Sequence, residues 1–173
     1  MRGGFPDLGC RIVAYDAEPF VCPGVEAMAF ENVLKSADIV VLGLPLTRTT
    51  TGIIDAEAMQ RMRRGTLLVN PARGSLVDEA AVADALERGH LGGYAADVFE
   101  CEDWARPDRP RAIDPRLTRP GARTVLTPHI GSAVMSVRRE IELSAATSII
   151  EALAGKVPAG SSTDRRAKQE IPH

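Results

Sequence analysis

Apolar residues fall into short runs separated by polar turns, and the runs switch between the period of a strand and that of a helix. The clearest stretch runs from Thr66 to Glu102, TLLVNPARGSLVDEAAVADALERGHLGGYAADVFECE. Residues 66–69 are continuous and rich in β-formers. They stop at Asn70-Pro71, because proline has no amide hydrogen for a ladder. Asp78 is placed to cap a helix on which Ala81, Val82, Ala85 and Leu86 share one face, and Gly89 stands at its end. Residues 93–98 form a second compact apolar run. This strand–helix–strand order predicts a right-handed crossover in a parallel sheet. The turns 70–75 and 97–103 would then leave the carboxyl ends of two strands, the edge where open α/β sheets bind ligands.

The same reading extends along the chain. Residues 11–16, RIVAYD, predict a strand ending in an acid, and 25–30 a weaker strand. Residues 31–36 predict a short helix and 38–44, DIVVLGL, a nearly continuous apolar strand ended by Pro45. A threonine-rich loop, LTRTTTG, follows, suited to a phosphate or ribose but equally to a solvated turn. Residues 55–63 predict a helix, with Ile54, Met59 and Met62 as core. Residues 103–123 hold arginines, prolines and interleaved acids and predict an irregular surface loop. Its Trp104 could cover a site or pack the loop down. A strand over 124–126 and a long helix over 133–154 close the pattern. On that helix Ala133, Val137, Ile141, Ala145, Ile149 and Leu153 recur at near-helical spacing, and Gly155 marks its stop. Strands alternating with helices predict an α/β fold.

Composition adds exclusions. The 173 residues are about one domain's worth. A net charge of −2 gives no electrostatic case for nucleic acid or an anionic membrane. No apolar run approaches the ~20 residues a membrane span needs. The opening residues lack the apolar core of a secretory signal. Cys10, Cys22 and Cys101 form no CxxC pair, which predicts free thiols in a reducing cytoplasm and no metal site.

Three residues at three predicted strand ends carry the candidate chemistry: Arg73, Glu102 and His129. Separately they read as a surface ion pair, a solvated acid and a packed loop residue. On one sheet edge they form a set. A histidine can take and return a proton near neutrality, a carboxylate can orient it, and an arginine fork suits a carboxylate or phosphate. His90 stands apart beside Gly89 and reads as structural. Asp16 ends its strand as an acid that binds a cofactor's adenosine ribose would, or as an ordinary turn residue. The Gly-x-Gly-x-x-Gly that should precede it by about 20 residues is not in the sequence.

Asn70-Pro71-Ala72-Arg73-Gly74, then GYAADVFE with Glu102 beyond it, then Thr127-Pro128-His129-Ile130-Gly131, together resemble the D-isomer-specific 2-hydroxyacid dehydrogenases over roughly residues 9–158. The stretch EDWAR-PDRP, Ile113-Asp114-Pro115 and TPHIGSAV resemble the phosphite-oxidising (phosphonate dehydrogenase) branch of that family. There Asp103-Trp104 stands where 2-hydroxyacid members more usually carry proline after the acid.

The resemblance implies a Rossmann-type, doubly wound parallel sheet, NAD as cofactor, and a small anionic substrate, phosphite or a 2-hydroxyacid. It implies Arg73 as the oxyanion ligand, His129 as acid/base and Glu102 as its orienting carboxylate. Asp16 would select NAD over NADP, and Asp97 would hold the nicotinamide carboxamide. Pro45, Thr50, Ala72 and Gly131 would line the cofactor, with Arg138 near the substrate. Family members are about twice this length. The expectation is therefore a truncated NAD-binding domain over 1–157, with a polar tail over 158–173 and no substrate domain. The first Rossmann strand and its glycine loop would be missing, leaving 11–15 and 38–44 flanking a gap. Such a chain should be marginally stable and bind NAD poorly alone. The full-length form would be a cytoplasmic homodimer. Glycerate, glyoxylate or hydroxypyruvate chemistry, and a non-catalytic NAD-binding module, are the alternatives.

Overall fold

Each of the six expected strands is present in the computed structural model, which describes residues 9–158; the expectations for residues 1–8 and for most of the polar tail lie outside the described residues. Strands β1 (Ile12–Ala14) and β2 (Val25–Ala27) pair in parallel as one small sheet. Strands β3 (Ile39–Val41), β4 (Leu67–Asn70), β5 (Gly93–Ala96) and β6 (Thr124–Leu126) form a second parallel sheet in that order. β1 and β3 are not paired to each other. In the doubly wound order 3-2-1-4-5-6, with β1 and β2 as strands two and three, one strand would lie between β1 and β3. The interruption falls where the sequence places the gap.

The helices supply the crossovers. Between β2 and β3 runs α1 (Phe30–Ser36), and between β3 and β4 runs α2 (Ala56–Arg61), which starts where Asp55 Oδ1 accepts the Ala58 amide at 2.8 Å. α3 (Glu79–Glu87) joins β4 to β5, and Asp78 Oδ1 accepts the Ala81 amide at 3.0 Å, the cap expected from sequence. A short helix α4 (Pro115–Thr118) lies before β6. It is started by Asp114, which accepts from the Arg116 amide and guanidinium. Arg116 also reaches Asp84 of α3 at 2.5 Å. The pattern of residues 103–123 gives no apolar period, so α4 was not anticipated. Proline at its first position and an aspartate before it are the local signals.

The core is loaded on one face of the larger sheet. Val40, Leu68 and Tyr94 sit side by side in register and are buried with Ile54, Met59, Met62, Val82 and Leu117. The strand period of two sends their neighbours to the other face. There Ile39 is 53% exposed, Leu67 43% and Val125 68%. Contacts divide the chain into two compact units, one ending at Pro128 and one beginning at His129. The second holds α5 (Met135–Leu153), which carries no buried residue, so the expected apolar stripe is not a core face among the described residues.

One-sided loading makes adjacent leucines unequal. Leu68→Ala should lower unfolding stability by roughly 2–5 kcal/mol, and Leu67→Ala by less than about 1 kcal/mol, measured by urea titration of both variants.

Candidate functional site

The segment following β4 is a hub that ties three strand-end loops together. Asn70 is fully buried. Its side chain donates from Nδ2 to the Arg73 carbonyl at 2.9 Å and accepts the Ala72 amide at Oδ1, folding the turn that carries Arg73. Residues Gly74–Leu76 then form a 3-10 turn. The threonine-rich loop after β3 joins this turn through three backbone bonds. Gly52 and Ile54 donate to the carbonyls of Ser75 and Leu76, and the Asp78 amide donates back to Ile54. The loop after β5 joins it through side chains. Asp103 Oδ2 accepts the Ser75 amide at 2.7 Å, Glu79 Oε1 accepts the Glu100 amide at 2.7 Å, and Glu100 Oε2 accepts the Glu79 amide at 3.1 Å.

Close approach makes this possible. A Cβ built on Gly74 would lie 1.9 Å from the Phe99 carbonyl carbon and 2.4 Å from the Glu100 nitrogen. No residue but glycine fits there with these loops in place. A second row of bonds runs along the strand ends: the Asp97 amide donates to the Asn70 carbonyl and the Thr127 amide to the Ala96 carbonyl. Thr127 Oγ1 donates to Asp97 Oδ1 at 2.5 Å.

Arg73 and Glu102 therefore occupy neighbouring strand-end loops of the first unit, with Ala72 and Asp97 between β4 and β5. Arg73 is exposed, its guanidinium donating to its own neighbour's carbonyl, Ala72, at 2.6 Å. Glu102 is half-buried at the end of a 3-10 turn, Glu100–Glu102. Thr50 and Pro45 are in the loop after β3, where the Thr50 hydroxyl donates to the Pro45 carbonyl and closes the loop on itself. Asp16 lies beyond the separate β1–β2 sheet and accepts the Glu18 amide, an Asx turn. His129 opens the second unit and has φ = 54°, the one non-glycine residue with positive φ among the described residues. Gly131 and Arg138 belong to that unit too. His90 Nε2 donates to the Met59 carbonyl at 2.8 Å, the structural role expected. Trp104 is 81% exposed with the Arg109 guanidinium 4.3 Å above its ring. A cavity of about 180 Å³ lies between α2 and α3, lined by Met59, Gln60, Ala85 and His90, and includes none of these strand-end residues.

The electrostatics of the hub centre on a residue that the sequence pattern did not single out. Glu79 is 2% exposed, and its Oε2 is buried with no hydrogen-bond partner. Burial pushes its carboxyl up to about 7, with Glu100 and Asp114 adding repulsion. Burial also raises Glu100, while Arg106 beside it, at 3.4 Å, opposes the rise. The signal available in sequence was Asp78-Glu79 at a helix start, which reads as capping and no more.

For NAD the residues fit in part. Threonine hydroxyls, a strand-end acid at Asp97 and the acid after β1 provide partners for ribose and carboxamide groups, whereas the sequence holds no Gly-x-Gly-x-x-Gly for the pyrophosphate. Parallel strands with charged and hydroxyl groups gathered at their carboxyl ends have the arrangement of a nucleotide-binding α/β domain. Comparison with known proteins names the family. Residues 5–131 match the D-isomer specific 2-hydroxyacid dehydrogenase, NAD binding domain, and the chain belongs to that family.

Among relatives, the D-3-phosphoglycerate dehydrogenase of Mycobacterium leprae is 36% identical over 155 residues, 86% of this chain and 27% of that protein. The structure of a glyoxylate reductase from Paecilomyes thermophila superposes with a TM-score of 0.78 at 29% identity, covering 88% of this chain and 45% of that one. D-lactate dehydrogenase with NAD+ from Lactobacillus jensenii gives 0.76 at 26% identity, covering 90% and 49%. The chain thus spans about a quarter to a half of the length of these relatives.

Two measurements probe the hub. Gly74→Ala should cost on the order of 3 kcal/mol or more, against less than about 1 kcal/mol for Gly43→Ala, whose built Cβ meets nothing within 4 Å. Glu79 binds its proton more tightly folded than unfolded. Its contribution to stability is therefore full below its ordinary value of 4.5 and lost as pH rises through about 7. Urea titrations between about pH 5 and about pH 8 should show a decline of roughly 1–3 kcal/mol that Glu79→Gln removes.

Proposed function

We propose that this chain provides the catalytic side of the cofactor cleft in an NAD-dependent dehydrogenase of small 2-hydroxyacids. The observation that carries this reading is the clamping of the Arg73 and Glu102 loops onto each other at adjacent ends of parallel strands. In this reading Arg73 binds the substrate carboxylate with its planar fork. His129 takes the proton of the C2 hydroxyl, and Glu102 orients the imidazole and favours its charged form. The positive φ of His129 supports the assignment, since strained residues gather where geometry is constrained by function. NAD, when bound, supplies the hydride acceptor. Asp97 would hold the nicotinamide carboxamide, and Pro45, Thr50, Ala72 and Gly131 would line the cofactor. Asp16 discriminates against a 2′-phosphate by charge. Arg138 adds positive charge near the substrate. The relatives named as phosphoglycerate dehydrogenase, glyoxylate reductase and D-lactate dehydrogenase support a hydroxyacid or its oxo counterpart. The reading extends to a cytoplasmic homodimer for the full-length form.

A second reading, phosphite oxidation, rests on Asp103-Trp104 after Glu102. There water attacks phosphorus, His129 accepts its proton, Arg73 neutralises the phosphoryl oxygens and hydride leaves phosphorus for NAD. Asp103, however, already has a role in holding the Ser75 amide.

NADH formation from NAD with glycerate, lactate or phosphite, and NADH consumption with glyoxylate or hydroxypyruvate, separate the readings. Turnover with a hydroxyacid pair alone removes phosphite, and turnover with phosphite alone removes the hydroxyacid. NAD binding without either leaves a non-catalytic module. In an active protein Arg73→Ala should lower kcat/KM by about 10²–10³-fold, and His129→Ala by about 10²–10⁴-fold.

A further inference from the structure

We propose that Glu79 and Glu100 are positioning residues: their reciprocal bonds to each other's backbone amides form a clasp that sets the register of the Glu102 turn against the Arg73 turn. The inference rests on the reading of Arg73 and Glu102 as site residues and adds Glu79, outside the quoted motifs, and Glu100, which the motif GYAADVFE contains without a role.

The geometry is specific. Each carboxylate takes the amide at the root of the other's loop: Glu79 Oε1 takes Glu100 N, and Glu100 Oε2 takes Glu79 N. One partner starts α3, five residues past Gly74. The other starts the 3-10 turn that ends at Glu102. Both amides belong to helix starts, whose first N–H groups have no partner within the helix. A single cap would satisfy one helix. Two crossed caps satisfy both and fix the distance between them. Gly74 against Phe99 prevents the loops from sliding inward, and Asp103 on the Ser75 amide adds a third tie farther along.

A buried and a half-buried carboxylate facing one another would repel if both were charged. The unpartnered, buried Glu79 Oε2 is the place for a proton, which leaves Oε1 free to accept. The raised titration of Glu79 agrees with this. The groups facing it are Glu100, Asp114, Tyr94 and Cys101, and Arg106 lies on the far side of Glu100. With Glu79 protonated the clasp carries a single charge, that of Glu100, and Arg106 pairs with it at 3.4 Å.

Amide hydrogen exchange on the protein and its Glu79→Ala and Glu79→Gln variants tests the clasp. Glu79→Ala should speed exchange at residues 99–103 by about tenfold or more, while Leu68, Val69 and Tyr94 stay within about threefold. Glu79→Gln keeps a neutral acceptor at Oε1 and should retain the protection. Unchanged exchange at 99–103 in Glu79→Ala, an equal rise in the strands, or failure of Gln to retain protection would overturn the proposal. In a protein that turns over substrate, Glu79→Ala should lower kcat by about tenfold with NAD affinity unchanged, and Gln should restore it. A kcat equal to that of the parent would also overturn it. If no substrate turns over while exchange follows the expected pattern, the catalytic reading falls and the clasp stands.

Discussion

The contact on which the rest depends is the approach of Gly74 to the Phe99–Glu100 peptide. It brings two loops from adjacent strands closer than any side chain would allow. Once they touch, the carboxylates of Glu79, Glu100 and Asp103 have backbone amides within reach, and each amide so paired is one less unsatisfied buried donor. The Asn70 side chain completes the turn from within. The loops at this edge are thus held by carboxylate-to-amide bonds together with the backbone bonds that Ser75, Leu76 and Ile54 accept.

The sheet behind that edge is asymmetric. One face is filled by α2, α3 and the loop residues between them, and the other displays Ile39, Val41, Leu67 and Val125. The strand order is likewise interrupted between β1 and β3. The interruption lies at the β3 edge, whereas the exposed face runs across β3, β4 and β6, opposite the face that the core fills.

Much of this was readable from periodicity. The run from β4 through α3 to β5 showed its strands, its cap at Asp78 and its crossover, since local pattern and tertiary packing agree there. Strand edges came out shorter than the apolar runs: residues 38–44 yielded only Ile39–Val41, because Leu42 to Pro45 peel away toward the loop while Leu42 still reaches Val69. The motif Asn-Pro-Ala-Arg-Gly located Arg73, but why glycine follows it emerged only from the packing against Phe99. Glu79 was hidden because its partner lies 21 residues on and a capping role accounts for it locally. The arginine-rich stretch reads as an irregular surface loop, and its pattern does not show what anchors it. Its arginines hold it down, Arg109 on Cys101 and Trp104, and Arg116 on Asp84 and Asp114.

The bonds that tie the Ser75, Glu79 and Glu100 amides span 28 and 21 residues of sequence, with the whole of α3 and β5 between. The pairing of Leu67 with Gly93 closes a span of similar length, so one loop-closure cost covers both the strand pair and the ties at its end. Arg73 and Glu102 therefore acquire fixed positions together with the β4–α3–β5 unit, as parts of one cooperative element.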